Sequence, residues 1–159
     1  MDDRQSHAQA LFEQAYACQM DGSLEEALQL YSRSIEAFPT AEAYTFRGWT
    51  YSFLGDYDRA IAECLHAIEV DPAYGNPYND IGAYLIEQGR LDEAIGWLER
   101  ATQAPRYEHT CFAHFNLGRV FERKRAFSRA LSGYERALAE NPGYRPAQLA
   151  LRRLRANWN

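Results

Sequence analysis

The stretch AEAYTFRGWTYSFLGDYDRAIAECLHAIEVDPAY, residues 41–74, decides the fold. Tyr44, Gly48 and Tyr51 follow an i, i+4, i+7 spacing, and Ile61, Cys64, Leu65 and Ile68 repeat a helical spacing further on. Such patterns mark two helices that each turn one apolar face inward. Gly55 stands between them, where a positive φ ends one helix and turns the chain into the next. Pro72 then stops the second helix. No alternating apolar stretch bounded by a two-residue turn reads as a β-hairpin. The segment is therefore predicted to be an antiparallel helix pair.

The same marks recur in both directions along the 159 residues. Ala27, Ala60, Ala94 and Ala130 are spaced by 33, 34 and 36 residues. Twelve residues before each lies Ala15, Gly48, Gly82 or Gly118, and seven after each lies Ser34, Ala67, Ala101 or Ala137. Pro39, Pro72 and Pro142 follow the first, second and fourth alanines by 12. A glycine inside a helical pattern costs about 1 kcal/mol against alanine. That cost, repeated at a fixed period, implies the close approach of a neighbouring helix. A fixed period of this length means stacked hairpins that share one continuous core. The predicted pairs are 8–20/24–37, 42–54/57–70, 76–88/91–103 and 111–124/127–140.

These columns resemble the tetratricopeptide repeat (TPR) family, and residues 41–74 are similar to the repeat along their whole length. The resemblance implies an all-α, right-handed solenoid of helical hairpins. The resemblance covers roughly residues 8–144, and residues 1–159 are expected to form one domain, with repeats at about 8–40, 41–74, 75–110 and 111–144 and a capping helix at 145–158. Arg125 takes the place of the inter-helix glycine in the fourth repeat, which implies a strained turn. The third repeat ends early at Pro105 and gains two residues, leaving a loop around Arg106-Tyr107-Glu108-His109-Thr110. In the last helix Leu151, Leu154 and Trp158 form an apolar stripe, while Arg152, Arg153 and Arg155 face elsewhere.

Composition and chemistry narrow the function. Hydrophobic content of 47% and charged content of 25% suit a folded domain. Residues 1–105 carry 6 Lys/Arg and 18 Asp/Glu, net −12, and residues 106–159 carry 11 and 4, net +7, which recovers the total of −5. The overall acidity argues against a nucleic-acid binder, although the basic third leaves room for a local anionic partner. The polar start, Met1-Asp2-Asp3-Arg4-Gln5, lacks the form of a secretory signal, and no apolar run is long enough for a membrane helix. Cys18, Cys64 and Cys111 are odd in number and far apart, which favours free thiols in a reducing compartment. The expectation is a cytoplasmic protein without membrane contact.

An enzyme finds little support. The chain has no phosphate-cradling glycine loop, nucleophile elbow or paired-histidine zinc helix. His109, Cys111 and His114 lie at spacings that do not converge on one helical turn, so they read as a loop entering a helix. The expectation is no catalytic residue, no metal and no cofactor.

What remains is recognition of a protein or peptide. By resemblance, the first helix of each repeat lines a concave groove, and the groove columns carry Phe12, Tyr16, Trp49, Phe53, Phe112 and Phe115. Large rings on an accessible concave face mark a binding site. Neighbouring first helices are expected to bury part of some of these rings. Asn79 and Asn116 are expected to bond a bound segment's backbone, and Arg119 and Arg123 to meet a carboxylate. One TPR subtype binds acidic chaperone tails through a clamp of two Lys, an Arg and two Asn. The matching columns here hold Phe12, Tyr16, Phe46, Asn76 and Asp80, or, one repeat along, Thr45, Trp49, Asp80, Phe112 and Asn116. Neither set makes a clamp, and the only lysine is Lys124. The alternative to a peptide-binding scaffold is a self-associating one. In it the acidic and basic ends of a homo-oligomer meet head to tail in a salt-sensitive contact.

Overall fold

The computed structural model describes residues 2–158, the last of these by its backbone alone. It forms nine helices among the described residues: α1 (Asp3–Met20), α2 (Leu24–Ala37), α3 (Ala41–Phe53), α4 (Tyr57–Val70), α5 (Asn76–Glu87), α6 (Leu91–Gln103), α7 (Thr110–Arg123), α8 (Phe127–Glu140) and α9 (Arg145–Trp158). α1–α2, α3–α4, α5–α6 and α7–α8 are hairpins. Each hairpin stacks on the next, α9 covers α8, and the first helices α1, α3, α5 and α7 touch in succession. The fold is the right-handed helical-hairpin solenoid expected from the columns.

The helix bounds agree with the sequence pattern except at the start. α1 begins at Asp3 rather than near residue 8, because Asp2 caps it. The Asp2 carboxylate accepts from the Arg4 amide at 3.0 Å, and the Gln5 side chain accepts from the Asp2 amide at 3.2 Å. This reciprocal cap satisfies donors that a helix start otherwise leaves open. The three prolines each stand two residues beyond the end of α2, α4 or α8, as predicted.

The small-residue columns do what their spacing requires. Ala27, Ala60, Ala94 and Ala130 are wholly buried. A Cβ on Gly82 would lie 2.4 Å from Leu98, and one on Gly118 would lie 2.5 Å from the Tyr134 ring. The second helix of each hairpin thus occupies the space that a side chain would need.

The turns between paired helices share one geometry. The amides of Ser23, Asp56, Arg90 and Ala126 donate back to Cys18, Tyr51, Leu85 and Phe121 at 2.8–3.0 Å. The residue before each donor is left-handed: Gly22, Gly55 and Gly89, and then Arg125 at φ 61°. The strain expected at Arg125 is therefore present, since the repeat dictates the turn and only glycine adopts it without cost.

The loop after α6 folds back rather than projecting. The Arg106 amide donates to Ala73 and the Gly75 amide donates to Arg106, each at 3.0 Å, in a short parallel bridge to the α4–α5 connection. The Arg106 guanidinium spans Asp71 (2.6 Å) and Glu42 (2.8 Å) and lies over the Tyr74 ring. Through its hydrogen bonds it holds the Asp71 carboxyl below the usual carboxylate range. Tyr107 then packs on Gly75, where any Cβ would collide with it at 2.3 Å. At the far end Leu154 is buried and Leu151 half-buried against α8. The side chain of Trp158, the third member of that stripe, lies outside the described residues.

Candidate binding groove

Two chains of rings run along the inner surface of the solenoid. The first starts on α1 and α3. Phe12 and Tyr16 meet Phe46 edge-on at 5.3 and 5.8 Å, Phe46 meets Trp49 at 5.8 Å, and Trp49 meets Phe53 at 5.1 Å. The second lies at the C-terminal end. His109 meets Phe112 at 5.5 Å, Phe112 meets Tyr144 at 5.2 Å, and Phe115 packs on Tyr144 and Tyr134. Contacts at these separations are favourable beyond their burial.

Between the two chains lies a cavity of about 300 Å³. Tyr16, Thr45, Phe46 and Trp49 form one wall. Asn76, Asn79 and Asp80 of α5 form the floor, and Tyr107, His109 and Phe112 form the other wall. The cavity draws on α1, α3, α5, α7 and the inserted loop, so it exists only when all four hairpins stack.

A polar chain runs along the floor. Arg119 donates to the Asn116 carbonyl at 3.1 Å, Asn116 donates to the Asn79 carbonyl at 3.0 Å, and the Asn79 amide points at Asp80 from 3.4 Å. Asp80 has no basic partner among the described residues. Burial pushes its carboxyl up to about 7, against which the weak Asn79 bond does little.

The ten residues singled out from the sequence divide into three groups. Tyr16, Trp49, Asn79 and Phe112 line the cavity. Phe12 stands behind Phe46, and Phe53 sits at the open end with 51% of its surface in solvent. Phe115, Asn116, Arg119 and Arg123 are committed to internal contacts. Phe115 packs on Tyr134 and Tyr144, and Asn116 is 7% exposed. Arg119 also pairs with Glu87 at 2.9 Å, and Arg123 donates to the Ile86 carbonyl at 2.7 Å. Both arginines sit where the sequence puts a carboxylate-binding pair, but an incoming carboxylate meets guanidinium groups already engaged. Four of the six rings are half-buried, Phe12, Trp49, Phe112 and Phe115, leaving Tyr16 and Phe53 exposed.

Six cavity residues lie outside those ten: Thr45, Phe46, Asn76, Asp80, Tyr107 and His109. Phe46, Asp80 and Asn116 share one column, two residues before the small residue of each first helix. That column lies between those read as groove-facing, so one more position per turn opens inward. Tyr107 and His109 come from the two-residue insertion, whose path no helical period predicts. His109 faces the cavity, while His114 pairs with Glu140 on the other side of α7. No group of three His, Cys, Asp or Glu among the described residues stands close enough to hold a metal. Among them, too, no helix is long and apolar enough to cross a membrane.

The repeat columns, the stacked hairpins and the shared turns define a helical repeat protein that presents a concave surface. Family models described as tetratricopeptide repeat match residues 2–42, 41–74, 78–103 and 113–145. The chain belongs to the tetratricopeptide repeat family. Among curated relatives, a "Protein SGT1 homolog" of Oryza sativa subsp. japonica is 40% identical over 87 residues, 54% of this chain and 23% of that one. The chain thus spans less than a quarter of the length of that relative. Among solved structures, pilF of Pseudomonas aeruginosa superposes with a TM-score of 0.89 at 23% identity, over 96% of this chain and 69% of that one. PilW, a type IV pilus biogenesis factor, superposes at 0.86 with 21% identity, over 94% and 69%. Likenesses at this identity establish the fold alone.

Proposed function

We propose that residues 1–159 act as one non-enzymatic repeat domain that holds a segment of a partner protein in its concave groove. The observation that carries this reading is the ring-lined cavity of about 300 Å³ at the junction of four hairpins. A concave, mostly apolar pocket with a few convergent polar groups is the usual form of a binding site. Aromatic side chains already held by their neighbours lose little freedom when a ligand arrives, so burial on binding translates efficiently into affinity.

Affinity capture from native cytoplasm tests the proposal, comparing wild type with a Tyr16→Ala, Trp49→Ala double variant. Both rings face the cavity from the N-terminal wall. The variant is expected to keep its helical circular dichroism and lose its partner. Unchanged recovery by a folded variant rules the groove out.

A further inference from the structure

Four carboxylates that tie separate elements of this chain together have cationic partners. Glu63 bonds Arg47 at 2.7 Å, Glu87 bonds Arg119 at 2.9 Å, Glu122 bonds Arg153 at 2.9 Å and Asp71 bonds Arg106 at 2.6 Å. Among the described residues Asp80 has only the Asn79 amide, at 3.4 Å. It stands on the cavity floor between rings on opposite walls: Tyr16, Phe46 and Trp49 on one side, Tyr107 and Phe112 on the other. Asp80 is half-buried and keeps part of its surface open to the cavity. A carboxylate partly withdrawn from water without a counter-charge is costly, and such groups are found where a ligand supplies what is missing.

We infer that the cavity takes an arginine side chain from the partner segment, with its guanidinium on the Asp80 carboxylate and stacked against the rings. The inference rests on the groove reading above and names the ligand chemistry at its centre. Four properties of the site favour this occupant. The guanidinium is planar and weakly hydrated, so it stacks on aromatic faces at small desolvation cost. Its two parallel N–H groups match a carboxylate. A volume near 300 Å³ is at the small end of ligand pockets and suits one long side chain. The first 105 residues, net −12, supply the floor and one wall of the site, and their field draws cations and repels acidic segments. Lysine is the weaker fit, since it brings a compact, strongly hydrated charge that neither forks nor stacks.

Ionisation of Asp80 couples binding to pH. With its carboxyl pushed up to about 7 by burial, the empty site is partly protonated near neutrality, and the arginine binds the ionised form. The other ionisable groups facing Asp80 are Cys64 of α4, Tyr74 of the α4–α5 connection, Tyr84 of α5 and Tyr107 of the loop, all pushed up by burial. Tyr16 and His109 stand on the cavity walls. Affinity therefore rises between about pH 6 and pH 8.

The test selects binders from a random dodecapeptide phage library on the purified full chain, in parallel with Asp80→Asn and Trp49→Ala. The selected peptides are then resynthesised with each arginine replaced by citrulline, which keeps the shape and removes the charge. Arginine is expected to recur in wild-type selections. Citrulline should weaken calorimetric binding to wild type by about tenfold or more, the scale of one close, desolvated charge pair. On Asp80→Asn the two peptides should bind within about threefold of each other. The rise with pH should persist in His109→Gln and vanish in Asp80→Asn. Wild-type binding that needs Trp49 but is indifferent to citrulline, to Asp80→Asn or to pH overturns the arginine reading and leaves the groove. Failure to enrich any peptide over an unrelated protein overturns both.

Discussion

The two ends of the groove are built on the same columns and use them in opposite ways. At the N-terminal end the inward residues of α1 and α3 are rings that touch one another and face an open cavity. At the C-terminal end Phe112 of α7 still reaches the cavity, but Phe115, Asn116, Arg119 and Arg123, further along the same helix, are each satisfied by a neighbour. The neighbouring helix makes the difference. α7 has α9 and the inserted loop close by, and Tyr144, the residue before α9, lies between Phe112 and Phe115. α1 has no hairpin before it among the described residues. A repeat column fixes the direction of a side chain, and the neighbours decide whether that side chain serves stability or remains available to a ligand.

The sharpest way to break this contrast is to truncate one ring at each end. Phe115→Ala is expected to cost about 2–4 kcal/mol in urea unfolding, because it empties a packed site. Tyr16, 42% exposed, should cost no more than about 0.5 kcal/mol on truncation to Ala. Equal losses at the two ends would remove the distinction.

Asp80→Asn comes next. The carboxyl is raised from 3.8 to about 7 on folding, so the native state holds a proton that the unfolded chain has released. The stability associated with that proton is fully present below about pH 3.8 and is lost as pH rises through about 7. Asn carries no such charge, so the variant's gain in melting temperature should grow across this window and level off above it. A constant offset at all pH values would show that the Asp80 charge is not the cause.

Arg125→Gly probes the strained turn at the C-terminal end. Releasing a left-handed non-glycine residue is worth about 1–2 kcal/mol, and the greater freedom of glycine in the unfolded chain returns part of it. A net gain of about 1 kcal/mol is expected, or roughly 2–4 °C in melting temperature. Arg33→Gly, at an exposed position inside α2, should lose stability instead. Arg119→Ala should cost little. It removes the donor to Asn116 and the surface pair with Glu87, at about 0.5–1 kcal/mol in chemical denaturation. A larger loss would mean that the polar chain on the groove floor holds α5 and α7 together.

The repeat period, the hairpins, the turn glycines and the strain at Arg125 were all legible from one sequence. Each is a local consequence of spacing: apolar residues every third or fourth position, a small residue where helices cross, and a left-handed residue where the chain reverses. Of the residues read as groove-facing, Tyr16, Trp49, Asn79 and Phe112 line one cavity. The period alone could not say which inward residues stay open, because that depends on contacts between residues far apart in the chain. Tyr107 reaches the cavity because Arg106 bridges to Ala73 and Gly75 and pairs with Asp71 and Glu42. Asn116 and Arg119 are spent because α5 and α7 lie side by side. The unpaired Asp80 follows from the same cause. Charge is written in the sequence, but whether a carboxylate meets water, an arginine or an empty ring-lined space is decided only when the hairpins stack.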